Sequence, residues 1–371
     1  MEALFMGVLG LTWKHAVMIL IGGILIYLAI AKDYEPLLLL PIGFGAILAN
    51  IPGSSAVGPE GPLTVLFNAG VVTELFPVLI FVAIGAMIDF TPLLRRPVVM
   101  LYGAAAQFGI FATIVAASLL GYDLKEAASI GIIGAADGPT TIYVATKFAR
   151  NLLGPLSVAA YSYMALVPII QPPVVRALTT PSERRIHMTY REDREVSQIV
   201  KVLFPILVTV ISGIIAPVSV ALVGLLMFGN LIRECGVLQR LSSSAQNELA
   251  NLVTLLLGVT IGSTMVADQF LNLSTLAVLG MGLAAFVFDT AGGVLFAKVM
   301  NLFMKEKVNP MIGACGISAF PMSSRVIAKM ALKEDPSNYL IMHAVGVNVA
   351  GQVGSVIAGG LVLAIVGSMA L

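Results

Sequence analysis

"IGIIGAADGPTTIYVATK", residues Ile130 to Lys147, aligns without a gap on "IGACGISAFPMSSRVIAK", residues Ile312 to Lys329. Gly131 falls on Gly313, Gly134 on Gly316, Pro139 on Pro321, Val144 on Val326 and Lys147 on Lys329. Apolar composition alone aligns easily, but glycines and a proline in fixed register mark an internal repeat. Proline removes a helical donor and glycine weakens a helix, so both stretches are predicted to break inside whatever apolar helix carries them.

The surroundings are apolar throughout. The chain has 371 residues, 58% hydrophobic and 11% charged, where a soluble domain carries about 25% charged residues. Runs such as "HAVMILIGGILIYLAIA" (His15 to Ala31) and "VVMLYGAAAQFGIFATIVAASLLG" (Val98 to Gly121) are long enough for a bilayer core of about 30 Å. The fold class is therefore an all-α polytopic membrane protein. An acidic Glu2 where a secretory leader is basic predicts no cleaved signal peptide. Cys235 and Cys315 lack metal or disulfide spacing and are expected to pack. A net charge of +1 argues against a nucleic-acid partner.

The one long polar stretch, "TTPSERRIHMTYREDREVSQ" (Thr179 to Gln198), divides the chain into halves of similar size. Weaker echoes recur in the same order in each: "GAILAN" (Gly45 to Asn50) with "GLLMFGN" (Gly224 to Asn230), and "IGAMIDF" (Ile84 to Phe90) with "IGSTMVA" (Ile261 to Ala267). The expected organisation is a first repeat over 1–180, a polar connecting loop over 181–198 and a second repeat over 199–371. Spans are predicted at about 15–31, 36–51, 75–94, 97–120 and 155–178, then about 199–215, 218–233, 250–266, 273–300 and 339–370. The broken segments 125–150 and 308–332 lie between the last two of each half. If both re-enter, about 10–11 transmembrane helices result. Lys32, Arg95, Arg96, the Arg184 to Lys201 loop, Arg233, Arg240, Lys298, Lys305, Lys307 and Lys333 then share one side, which is cytoplasmic by the positive-inside rule. Five crossings per half also invert one repeat against the other. Lys125, Lys147 and Arg150 count against this scheme, and eleven or twelve full crossings are its rival.

Asp137 is the acid in the first break. A carboxylate inside a membrane segment is costly and survives where water, a partner or a cation meets it. Beside carbonyls freed at Gly138-Pro139, it makes an oxygen-rich site suited to sodium. The plainer reading is a surface turn. The second break has no acid, Ala319 standing opposite Asp137, but offers Asn309, Ser318, Ser323 and Ser324 as neutral oxygen ligands or as helix-packing groups. Arg325 has the chemistry to grip a carboxylate and the length to snorkel to an interface. Tyr163, in "AYSYMALVPIIQPP" (Ala160 to Pro173), reads as a ligand or proton donor, or as a belt residue. "HAVGVNVAGQVGS" (His343 to Ser355) places Asn348 and Gln352 among small residues. No Ser-His-Asp order or phosphate loop is present, so chemistry here needs a partner.

The stretches "ELFPVLIFVAIGAMIDF", "GAADGPT", "YSYMALVPIIQPPVVRALTT", "NPMIGACGISAFPMSSRV" and "KEDPSNYLIMHAVGVNVAGQVGS" together resemble the β subunits of sodium-pumping, biotin-dependent decarboxylases, which act on oxaloacetate, methylmalonyl-CoA, glutaconyl-CoA or malonate. The resemblance covers nearly the whole chain. It implies a subunit in a bacterial inner membrane that decarboxylates carboxybiotin while exporting Na+ and consuming an outside proton. Its implied partners are a carboxyltransferase subunit, a biotin carrier subunit and a small single-span membrane subunit, within a complex where this chain is itself oligomeric. The resemblance also carries the family's functional positions onto Asp137, Tyr163, Asn309, Gly313, Ser318, Arg325 and Asn348. The expected catalytic set is Asp137, Tyr163 and Arg325; Arg325, Ser323 and Ser318 face carboxybiotin; and Asp137, Asn309, Gly313, Ser318 and Asn348 bind sodium. The compact chain leans toward the acyl-CoA types without deciding the substrate. Composition, repeat and breaks fit a secondary sodium-coupled carrier with no decarboxylation step equally well; only the motifs favour the pump.

Overall fold

The computed structural model describes residues 7–369 except 8, 34–35, 189–194 and 320. Glu2 and the charged middle of the 181–198 loop thus lie outside the described residues. All regular elements among the described residues are helical. The first half contributes α1 (Trp13–Lys32), α2 (Pro36–Ala49), α3 (Leu75–Met87), α4 (Val99–Ala106), α5 (Phe108–Leu119), α6 (Leu124–Gly131), α7 (Gly138–Phe148) and α8 (Leu153–Leu178). The second contributes α9 (Gln198–Ile215), α10 (Val220–Glu234), α11 (Ala250–Ser263), α12 (Leu273–Phe303), α13 (Met322–Glu334) and α14 (Ile341–Met369).

Among the described residues six helices are long and apolar enough to cross a membrane, with α4 and α5 counted together, and up to eight if each of two bent pairs is one span. The bent pairs are Pro62–Val72 with α3, turning 62°, and Arg150–Met164 with Leu166–Leu178. The ten crossings predicted from sequence would further require α2, which has only 14 residues, and the stretch Gln239–Ser263, which opens on polar "QRLSSSAQNE" and is interrupted by a π turn at Ala245–Leu249.

Two helix crossings use glycine in the same way. A Cβ on Gly45 of α2 would run into Val259 O of α11, and one on Gly262 into Ile42 O. Likewise a Cβ on Gly85 of α3 would run into Leu226 O of α10, and one on Gly229 into Val82 O. Close backbone approach of this kind is the membrane substitute for hydrophobic association. Each crossing is pinned by one buried asparagine: Asn50 Nδ2 donates to Met265 O at 2.6 Å, and Asn230 Nδ2 to Ile88 O at 3.0 Å. In both pairs a helix of one half clasps a helix of the other.

Both broken segments double back, so that the two ends of each come together. The first runs through α6, a 3-10 turn at Ile132–Ala135 and α7, and its ends are tied where Asn151 Nδ2 donates to Glu126 Oε1 at 2.9 Å. The second runs from Asn309 through the 3-10 stretch Pro310–Gly316 to α13. Its ends meet at the Arg184 loop: Asn309 Nδ2 donates to Arg184 O at 2.7 Å, and Arg184 pairs with Glu334 at 2.9 Å. The two hairpins touch tip to tip, where Ser318 N donates to Ala135 O at 2.8 Å.

Candidate functional site

The tips bring Asp137 to the centre. After the 3-10 turn, Ala136 takes a left-handed backbone with φ 51°, ending the helix as a non-glycine residue held by its surroundings. Asp137 then caps α7, its Oδ1 accepting Thr140 N at 3.1 Å. Gly138 and Pro139 open the new helix, where proline lacks no needed donor. Glycine is required at 138 because a Cβ there would strike the ring of Tyr161 from α8.

Asp137 is 2% exposed. Its Oδ2 accepts Ser355 Oγ at 2.7 Å, Ser318 Oγ at 3.1 Å and Gln352 Nε2 at 3.4 Å. No Lys, Arg or His among the described residues pairs with it. The carboxylate lines a cavity of about 190 Å³ together with Tyr161, Ser318 and Gln352. The opposite wall is α2, α3 and the π turn leading into α11, apolar except for Gln246, Asn251 and Thr254. Two buried oxygens near Asp137, Tyr161 OH and Thr140 Oγ1, have no hydrogen-bond partner among the described residues. A carboxylate, hydroxyls and an amide around free space are a hard-cation donor set, since each hydroxyl and the amide can turn an oxygen toward the ion.

Of the residues singled out from sequence, the structure joins Ser318 and Gln352 directly to Asp137. Asn348 holds the second break instead, its Nδ2 donating to Ile317 O at 2.8 Å and Cys315 O at 3.1 Å while its buried Oδ1 has no partner. Gly313 lies backbone to backbone against Gly293 of α12. Asn309 caps the far end of the break at the Arg184 loop. Ser323 is bonded to Gln171 and to Ala314 O. Tyr163 is buried and donates to Leu279 O rather than lining the cavity. Arg325 is exposed on α13 and also does not line it. Ser355, Thr140 and the buried Asp289 of α12 escaped the sequence reading. Ser355 follows Gln352 by three residues, which places both on one helix face, and Asp289 is an acid within "FVFDTAGG".

Residues 14–366 match the family described as Na+-transporting oxaloacetate decarboxylase beta subunit. Among curated proteins, the chain is 51% identical over 358 residues to the methylmalonyl-CoA decarboxylase subunit beta of Veillonella parvula, covering 96% of this chain and 95% of that one. It is 50% identical over 361 residues to the glutaconyl-CoA decarboxylase subunit beta of Acidaminococcus fermentans, covering 97% and 96%. With the probable oxaloacetate decarboxylase beta chain of Pasteurella multocida it shares 44% over 425 residues, covering 98% of each. A match over nearly the whole length of chain and relatives alike leaves no part of the fold outside the resemblance: the chain belongs to the family of β subunits of sodium-transporting decarboxylases.

Proposed function

We propose that Asp137 is the sodium site of this decarboxylase subunit, and that the adjoining cleft receives carboxybiotin from a partner carrier. Family membership makes the chain a sodium-translocating, decarboxylating part of a multi-subunit membrane complex. It also disfavours the alternative of a carrier without chemistry. The observation that carries the finer reading is a buried carboxylate with no cationic partner, facing free space and ringed by oxygen donors.

Sodium at Asp137 replaces the hydrogens of Ser318 and Ser355 as the charge partner, which removes the cost of a bare carboxylate at membrane depth. The apolar wall with few polar groups suits a small bicyclic head group. Decarboxylation breaks the N–C bond of carboxybiotin. The electron pair stays on the ureido nitrogen, which takes a proton, and CO2 leaves. Tyr161, which lines the cavity and whose buried hydroxyl has no partner among the described residues, is the tyrosine nearest that role, while Tyr163, two residues further along α8, is bonded to Leu279 O. Ser323, Asn348, Asn309 and Gly313 shape the second break that presents Ser318, and Arg325 attracts the carboxylate from outside the cleft.

The partners are a carboxyltransferase subunit, a biotin carrier subunit and a small single-span membrane subunit, in a complex with more than one copy of this chain. The membrane is the bacterial inner membrane, with the Arg184 loop cytoplasmic. The reciprocal crossings of α2 with α11 and α10 with α3 support two inverted repeats over 1–180 and 199–371. The test is Asp137→Asn in the reconstituted complex. It is expected to lose both sodium-dependent decarboxylation of free carboxybiotin and 22Na+ uptake while the complex assembles; retained sodium-dependent turnover would sink the assignment.

A further inference from the structure

A second carboxylate, in no ion pair among the described residues, stands behind the sodium site. Asp289 lies near the middle of the 31-residue α12 and is 0% exposed. Its Oδ1 accepts Ile110 N at 3.1 Å, just past Gln107, where the α4–α5 helix is interrupted. Its Oδ2 is buried with no hydrogen-bond partner among the described residues. That oxygen faces the first break: a Cβ built on Gly134 would lie 3.0 Å from Oδ2. Gly134 belongs to the 3-10 turn and precedes Asp137 by three residues, while the next residue, Ala135, accepts Ser318 N through its carbonyl.

Packing decides what Oδ2 holds. A sodium ion needs several oxygens and room for itself, whereas Oδ2 is wedged against the Gly134 backbone so closely that even a methyl would be tight. A proton needs no room. Asp137, by contrast, opens on a cavity and has four donors around it. The elements packed on α12 bring other titratable groups: Tyr102 from α4, Lys125 and Glu126 from α6, Asp137 beyond the turn, Tyr161, Tyr163 and Arg176 from α8, and Cys315 from the second break. None of them is bonded to Asp289, and α5 brings no titratable group.

Resting on the reading that Asp137 binds sodium, we propose that Asp289 is a proton-binding positioning residue whose charge sets the sodium affinity of Asp137 across the Gly134–Asp137 turn. Ionised, Asp289 adds negative potential behind the site and favours sodium. Taking up a proton removes that charge and loosens the ion, and linkage requires that sodium binding in turn disfavour the proton. Proton uptake and sodium release are thereby coupled through one buried acid.

The experiment is equilibrium 22Na+ binding to the purified complete decarboxylase complex at pH 6 and pH 8. The wild type is expected to bind sodium more weakly at pH 6, by a factor within the roughly 5–150-fold range of such couplings. Asp289→Asn, a fixed neutral isostere, is expected to bind weakly at pH 8 as well, with the ratio between the two pH values largely abolished. Wild-type affinity at pH 8, or weakened binding with an unchanged pH ratio, would overturn the proposal, the second because it marks a merely structural loss. Should the asparagine variant fail to assemble, Asp289→Ser, which is smaller and fits the same space, decides: it must bind weakly at both pH values, and wild-type affinity at pH 8 or an unchanged pH ratio overturns the proposal. Asp137→Asn runs alongside. If it abolishes binding while Asp289→Asn changes nothing, this inference alone fails; if it binds sodium like the wild type, the sodium assignment itself fails and this one with it.

Discussion

Asp137 Oδ2 receives its shortest bond from Ser355, at 2.7 Å, and that hydroxyl has a second acceptor in Gln352 O at 3.0 Å. The second acceptor matters for the bound state. If Asp137 holds sodium as proposed, the Ser355 hydrogen can turn to Gln352 O and leave a lone pair for the ion, so the same group satisfies the empty carboxylate and the occupied one. Ser355→Ala is therefore expected to weaken sodium binding by about 1.5–3 kcal/mol, the worth of a hydrogen bond to a charged group, which is roughly ten-fold or more in the 22Na+ dissociation constant. Unchanged or tighter binding would show that Ser355 competes with the ion instead of ligating it. The acid itself was legible in the sequence, because a charge between apolar runs needs a reason. Ser355 was not, since a serine in a membrane helix packs as often as it ligates and only the fold turns its face toward residue 137.

The helix elements carry their own evidence of close packing. Gly85 of α3 and Gly229 of α10 leave no space for a side chain, each facing a carbonyl of the other helix, whereas Gly280 of α12 has nothing within 4 Å of a built Cβ. Gly85→Val must push α3 and α10 apart or strain both, at a cost of about 1–3 kcal/mol or more. A clear fall in melting temperature of the detergent-solubilised complex is expected, while Gly280→Ala leaves it unchanged or slightly raised because alanine is the better helix former. Equal melting temperatures for Gly85→Val and wild type would mean that this crossing does not hold the fold. Both breaks could be read from Gly-Pro punctuation, and the echo of "GAILAN" in "GLLMFGN" pointed to α2 and α10, whose Asn50 and Asn230 make matching bonds. What the pattern could not supply was the partner of each: side-chain periodicity names a buried face but not the helix from the other half that covers it. Two of the predicted spans are the least apolar or the shortest, α2 having 14 residues and the helical run into α11 beginning with polar residues, so neither stands out by length and composition alone.

At the scale of the whole molecule the two hairpins are the informative elements, because each ties its own ends together and the two meet at their tips. A tip contact between Ser318 and Ala135, with Asp137 beside it, is what two re-entrant segments give when they approach one site from opposite sides of a bilayer. An odd number of crossings between them puts their mouths on opposite sides of the bilayer, and an even number would put both on the same side. The outer ends are exposed at Asn151 for the first hairpin and Ser337 for the second. With Cys235 replaced by alanine and the buried Cys315 kept, Asn151→Cys is expected to react with a membrane-impermeant maleimide in intact cells but not in sealed inverted vesicles. Ser337→Cys is expected to do the reverse, placing the Arg184 loop, to which Asn338 Nδ2 donates at 3.3 Å, in the cytoplasm. Labelling of both positions from one side would remove the inverted arrangement. The sodium site would then have one mouth, and decarboxylation on the carrier's side would have no opposite face toward which to expel the ion.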